Sequence, residues 1–192
     1  MRKLTRTEAP VCLQNNSYNW SAEFVNARIK NPTHKFRWRN TACYKAIRQA
    51  LVSMTQQHCA FCDGPIGSES RETVEHFRPK SQFPELAYAW DNLFPCCDLC
   101  QNNKLEKFDE ALLKPDGQDY IFQQYFIVNY HTGEIEPSPQ ADQAEQQRAK
   151  ITLEIYGLNL ANRKTMRLRE WRFYTNEANP IIDDYHYRYF LE

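Results

Sequence analysis

Two Cys-x-x-Cys pairs, Cys59/Cys62 and Cys97/Cys100, limit the folds open to this chain more tightly than anything else in it. Thiols spaced in this way bring four sulfur ligands to one point, the arrangement of a tetrahedral structural zinc site. Any fold must therefore bring residue 59 and residue 100 together while it houses the 34 residues between the pairs. Four sulfurs fill the coordination of zinc and leave no open position for water, so this metal is expected to be structural. Of the seven cysteines, Cys12 and Cys43 read as small buried apolar residues. Cys96 adjoins Cys97, but only Cys97 and Cys100 repeat the spacing of the first pair, so Cys96 reads as a neighbour.

Between the pairs lie Val74-Glu75-His76-Phe77-Arg78-Pro79-Lys80 and then Asn92. An acid beside a histidine suits phosphodiester hydrolysis, which needs an activated water, a cation at the phosphate and stabilisation of the leaving oxygen. A neutral imidazole at His76 is the expected base. Glu75 is a hard oxygen donor for Mg²⁺ or Mn²⁺. Arg78 and Lys80 read equally as solvated charges or phosphate contacts. Lys104 reads as a surface residue that doubles as a third phosphate candidate. Asn92 is expected to hold a turn through its side-chain amide.

The zero net charge conceals a strong asymmetry. Residues 1–58 hold ten Lys/Arg and two Asp/Glu (+8), residues 59–140 hold six and fourteen (−8), and residues 141–192 balance at eight and eight. Since phosphate neutralisation dominates nucleic-acid affinity, the central segment is a poor binder by itself. The basic N-terminal part or a partner protein must grip the substrate. No apolar run approaches the ~20 residues that cross a bilayer, and the basic Met1–Arg6 opening lacks the apolar stretch of an export signal. A cytoplasmic location is the resulting expectation.

Along the chain, residues 1–20 read as irregular, with Pro10 and Asn15-Asn16-Ser17, followed by a helix from Ser21 to Lys30. An apolar stripe through Ala42, Cys43, Ala46, Ile47, Ala50, Leu51 and Met54 predicts an amphipathic helix from residue 40 or 41. The spacing and turn residues then predict a zinc knuckle over 59–67, a strand over 72–77, a loop over 79–84, a short helix or turn over 84–90 and a helix from Asp98 to about Phe108. A hairpin over 125–136 and helices over about 141–156 and 160–177 follow. The aromatic run Tyr185–Phe190 closes the chain. The basic-aromatic run Lys35–Arg39 reads either as a nucleic-acid clamp or as core anchors with charges outward. The Arg163, Lys164, Arg167, Arg169 cluster reads as a solvated helix face. One compact unit, 1–192, is expected: a basic helical region (1–58), a zinc-stapled core (59–108), and a hairpin with helical extension (109–192).

The order Cys59-x-x-Cys62, Glu75-His76, Asn92, Cys97-x-x-Cys100 resembles the HNH endonucleases. That resemblance implies an α+β chain with a ββα-metal core stapled by a four-cysteine zinc site, and additional N- and C-terminal helices. It further implies His76 as general base, Glu75 as a ligand of catalytic Mg²⁺ or Mn²⁺, and Asn92 as the asparagine that fixes the inter-strand loop. Zinc-bearing members usually carry asparagine directly after the last cysteine. Here Gln101 stands there, followed by Asn102 and Asn103, so the third cation ligand is Gln101, Asn102 or Asn103. The opening Met1–Leu13, Glu75–Lys80, and Tyr156-Gly157-Leu158-Asn159 with Arg163 resemble the HNH subunits of Septu anti-phage systems, the PtuB group. Those subunits work with an ABC/SMC-like ATPase, PtuA. The implied activity is cleavage of foreign nucleic acid, DNA by preference with RNA open. The contrasting class is a non-catalytic zinc-stapled module that binds nucleic acid or protein.

Overall fold

A computed structural model of the chain describes residues 1–67 and 70–192. Helix α1 (Val11–Lys30) starts after Pro10, whose extended backbone turns the chain into the first helical residue. It begins ten residues earlier than the sequence pattern predicts. Asn15, Asn16 and Ser17 lie on half-buried or exposed positions, where polar side chains cost a helix little. Helix α2 (Thr41–Met54) begins where expected, because the Asn40 Oδ1 accepts from the amides of Ala42 (2.8 Å) and Cys43 (3.1 Å).

Cys12 and Cys43 are joined as a disulfide, which corrects their reading as independent apolar residues. Cys12 opens α1 and Cys43 sits in the first turn of α2, so the bond ties the helix starts together. A separation of 31 residues carries no sequence signal for this pairing; the packing of the two helices creates it.

Strands β1 (Thr73–His76) and β2 (Leu93–Cys96) pair antiparallel, His76 opposite Leu93 and Glu75 opposite Phe94. Helix α3 (Asp98–Lys104) follows at once and packs on β1. It stops four residues before the expected end, where Leu105 takes φ +50°. These elements form a ββα unit. After it come a four-residue helical turn α4 (Phe122–Tyr125), the hairpin β3 (Phe126–Asn129) and β4 (Glu134–Pro137), and helices α5 (Gln143–Ile155) and α6 (Ala161–Asn176). A reciprocal capping box, Asp142 with Glu145, sets the start of α5.

The β-hairpin of the ββα unit separates two apolar clusters. One gathers Phe61, Phe94, Tyr156, Leu158 and the tail residues Tyr189 and Phe190 around the cysteines. The other holds Leu13 and Phe24 of α1, Ile47 and Leu51 of α2, and Tyr88 and Leu93. Side chains alternate across a strand, but His76 is the last residue of β1, and at that end of the strand it and Glu75 border one cavity. Arg163 and Arg167 are 3% and 1% exposed, which overturns the solvated-face reading of these two. Among the described residues, no helix is long and apolar enough to cross a membrane.

A sulfur cage beside an oxygen-donor cleft

The knuckle is built by backbone bonds before any metal is considered. Cys59 N–H donates to the Gly64 carbonyl and Asp63 N–H to the Cys59 carbonyl, both at 2.9 Å. Ala60 N–H donates to Pro95 O at 2.9 Å, fastening the knuckle to β2. Asp63, left-handed at φ +54°, lets the loop reverse, and its buried carboxylate takes Arg188 Nη2 and Nε at 2.7 and 3.0 Å. On the other side Cys97 caps α3, its sulfur accepting from Cys100 N–H.

The four sulfurs of Cys59, Cys62, Cys97 and Cys100 lie within 4.8 Å of one another, and all four residues are buried. A tetrahedral zinc with bonds of about 2.3 Å needs sulfurs about 3.8 Å apart, so the donor set fits this ion. Cys62 and Cys97 already stand 3.7 Å apart. Cys96 lies outside this group, its thiol bonded to the Cys97 carbonyl.

One participant escaped sequence reasoning. Arg163, from the first turn of α6, places Nη2 3.0 Å from the Cys100 sulfur and 3.7 Å from that of Cys97. Burial works against its charge, but the surrounding Cys62, Cys100 and Cys97 sulfurs push its pKa above the usual guanidinium range. Four thiolates around a Zn²⁺ would carry two surplus negative charges, and this buried guanidinium would offset part of them. The only sequence signal was its position after Tyr156-Gly157-Leu158-Asn159.

The second site is a cavity of about 260 Å³ on the adjoining edge of the ββα unit. It gathers Glu75, His76, Lys80, Gln101, Asn102 and Glu106. His76, 5% exposed, ends β1. Its Nε2 lies 2.9 Å from the Ala87 carbonyl; a carbonyl only accepts, so the proton is on Nε2 and Nδ1 keeps its lone pair. Burial, then the charge of Lys80, pushes the His76 pKa down to about 3, against the opposing pull of the Ala87 carbonyl. The ring is neutral. Trp38 stacks parallel to it (5.9 Å, 21°) and Phe36 meets it edge-on (5.3 Å), while Lys35, Arg37 and Arg39 face solvent.

Asn92 clips the inter-strand loop from three directions. Its Oδ1 accepts from Arg78 N–H at 2.8 Å, and its Nδ2 donates to the carbonyls of Arg78 (3.0 Å) and Leu86 (3.1 Å). The clip holds the chain that leaves His76 and returns to β2.

Glu75 accepts from Lys104 Nζ at 2.8 Å. Burial pushes its carboxyl up, opposed by Lys104 and by a hydrogen bond from Gln101. Lys104, 0% exposed, spends its remaining bonds on the carbonyls of His76 (2.9 Å) and Leu105. This placement corrects the expectation of a surface lysine reaching for phosphate: the ammonium is committed inside the protein. Of the other phosphate candidates, Lys80 lines the cleft with Nζ over the Phe36 ring. Arg78 pairs with Glu110 at 2.6 Å, sits over Phe83 and Phe108, and does not line the cleft.

Among the amides, Gln101 and Asn102 reach the cleft. Asn103 does not: its Nδ2 bonds the Leu99 carbonyl, and its side chain packs on Gly157. Gly157, at φ +58°, has no room for a Cβ, which would lie 2.8 Å from the Asn103 amide. Glu106, unforeseen from the sequence, adds a second carboxylate to the rim. Two carboxylates and two amides thus line the cleft, with Glu75 held by Lys104 and Glu106 accepting from the Ser81 hydroxyl.

No protein-family model matches the chain. It is 39% identical over 59 residues to the Septu protein PtuB of Bacillus thuringiensis, a stretch of 30% of this chain and 23% of that protein. The chain thus shares partial homology with PtuB, and the match spans less than a quarter of that relative's length.

Proposed function

We propose that this protein is a metal-dependent endonuclease of the HNH type, hydrolysing phosphodiester bonds of foreign nucleic acid. The observation that carries the reading is one cavity lined by both a neutral, buried histidine and hard oxygen donors. His76 accepts the proton of the attacking water at Nδ1, since Nε2–H is held by Ala87. Trp38 and Phe36 fix the ring plane, and Asn92 fixes the loop from which Lys80 reaches the phosphate. Glu75, with Gln101 or Asn102, would hold Mg²⁺ or Mn²⁺, which supplies charge stabilisation at the phosphate and leaving oxygen. The sulfur cage holds zinc and keeps the knuckle, β2 and α3 in register.

DNA is the leading substrate. By analogy with the Septu relative, the protein acts as the effector subunit of an anti-phage complex with an ABC/SMC-like ATPase of the PtuA kind. The uneven charge along the chain supports a partner that helps grip the substrate. The basic helical region (1–58), the zinc-stapled ββα core (59–108) and the hairpin with its helical extension (109–192) act as one unit.

One observation favours a second reading. An ammonium bonded to Glu75 already supplies positive charge where a cation is expected, as in a zinc-stapled binding module without catalysis. The deciding experiment incubates supercoiled plasmid and total transfer RNA with Mn²⁺ and either wild type or His76→Ala, with and without the ATPase. Cutting by wild type alone supports the nuclease. Absence of His76-dependent cutting in every mixture, from folded zinc-loaded protein, supports the binding module.

A further inference from the structure

A second cavity, about 580 Å³, adjoins the cleft and shares Val74 and Gln101 with it. Its remaining walls include Tyr44 and Arg48 of α2, Arg71 and Glu72. The volume lies in the range of small-ligand sites, ~300–1,000 Å³. Tyr44 stacks on Trp38 (4.8 Å, 22°), and Trp38 stacks on His76. A ladder of three rings therefore runs from this cavity to the expected base.

The charges of the cavity cancel locally. Arg48 Nη2 meets Glu72 Oε2 at 2.6 Å, and Arg71 meets Asp98 at 3.1 Å. A phosphate placed here would face the Glu72 carboxylate with no net positive charge to hold it, whereas a neutral ring needs only hydrogen-bonding atoms that the ion pairs leave unused. The walls instead offer an aromatic ring, amide and hydroxyl groups, and a carboxylate beside a guanidinium. This is the chemistry that receives a neutral, planar, polar ring. Carboxylates accept from ring N–H and exocyclic amines, and arginine donates to ring carbonyls.

Resting on the nuclease reading, we infer that this cavity takes an unpaired nucleobase next to the scissile phosphate, guanine in preference. Guanine presents N1–H and N2–H₂ to Glu72 and O6 to an arginine. A base still paired in a duplex cannot enter a side cavity while its strand lies in the cleft. The substrate is therefore a single strand, or a loop or flipped nucleotide, of DNA or RNA.

The test measures binding apart from cutting. Full-length zinc-loaded His76→Ala protein is titrated with fluorescent oligothymidine and oligouridine strands, each carrying one central guanine, adenine or cytosine. The matching duplexes are titrated alongside. Tyr44→Leu, Tyr44→Phe and Glu72→Gln are added to the same background, with zinc content and circular dichroism reporting the fold. Base–aromatic stacking makes the expected loss in Tyr44→Leu about ten-fold for single strands, with duplex binding unchanged. Tyr44→Phe keeps wild-type affinity, and Glu72→Gln loses the guanine preference. The DNA and RNA arms show which polynucleotide supplies the base. Duplex binding as tight as single-strand binding, no binding at all, or a folded Tyr44→Leu that binds single strands normally overturns the inference. The same strands given to His76-containing protein separate the two claims. Tyr44-dependent binding without His76-dependent cutting leaves the cavity standing and removes the nuclease. Cutting without any effect of Tyr44 or Glu72 does the reverse.

Discussion

The sulfur cage and the oxygen-donor cleft share the same two strands and one helix, yet they are built on opposite plans. Every cage ligand is buried, the Cys59 and Cys100 amides are hydrogen-bonded within the knuckle and the helix start, and a guanidinium lies at the cage edge. The cleft is open on one side, and its carboxylate is held by a lysine instead of by a ring of fixed donors. Closed donor sets suit an ion that is part of the fold; open ones suit an ion that meets substrate. The two metal readings must therefore respond differently to the same perturbation.

Stripping zinc should separate the two sites most severely. Structural zinc contributes about 10–16 kcal/mol of apparent binding free energy in small zinc domains. Chelation, or Cys59→Ser, is therefore expected to abolish the cooperative thermal transition of the ββα unit, followed by circular dichroism with zinc content in parallel. Removing Mg²⁺ or Mn²⁺ is expected to leave that transition in place. A core that melts normally without zinc would sink the stapling role.

His76→Ala tests the cleft alone. Loss of a general base costs about 10²–10⁴-fold in rate, so His76-dependent plasmid or RNA cutting should vanish while zinc content and circular dichroism stay those of wild type, with a lower melting temperature from the lost ring packing and Ala87 bond.

Lys104→Ala probes the open site more finely, because it leaves Glu75 buried without its partner. Breaking a buried pair costs about 3–5 kcal/mol, readable as a lower urea midpoint. Adding Mg²⁺ should restore part of that loss if Glu75 is a cation ligand. No recovery at saturating Mg²⁺ would count against that role. The smallest effect is expected from Arg163→Met. Hydrogen bonds to charged groups contribute about 1.5–3 kcal/mol, and the loss should appear as faster zinc release to a competing chelator than from wild type.

Periodicity and spacing made much of this legible. The cysteine pairs, the α2 stripe and the local sequence around His76 are signals carried by neighbouring residues. What stayed hidden depends on distant ones. Lys104, Arg163 and Arg167 look like surface cations in sequence. Their burial comes from acceptors that only the fold supplies: Glu75, the cage sulfurs, and the Leu158 carbonyl with Asn159 Oδ1. The Cys12–Cys43 bond likewise depends on how two helices cross. The first half of α1 was missed because Asn15-Asn16-Ser17 also suit a turn, and the partners that decide between helix and turn lie outside the local window.

The pairing of Asp63 with Arg188 links residues 125 positions apart. Chains emerge from the ribosome N-terminus first, so the knuckle carboxylate has no counter-charge until the segment around Arg188 has appeared. Contacts of such long sequence separation slow folding. A nascent chain that already displays all four thiols and the histidine therefore still lacks the arginine that secures the knuckle, so the cysteine cage is completed only with a segment made long after its sulfurs.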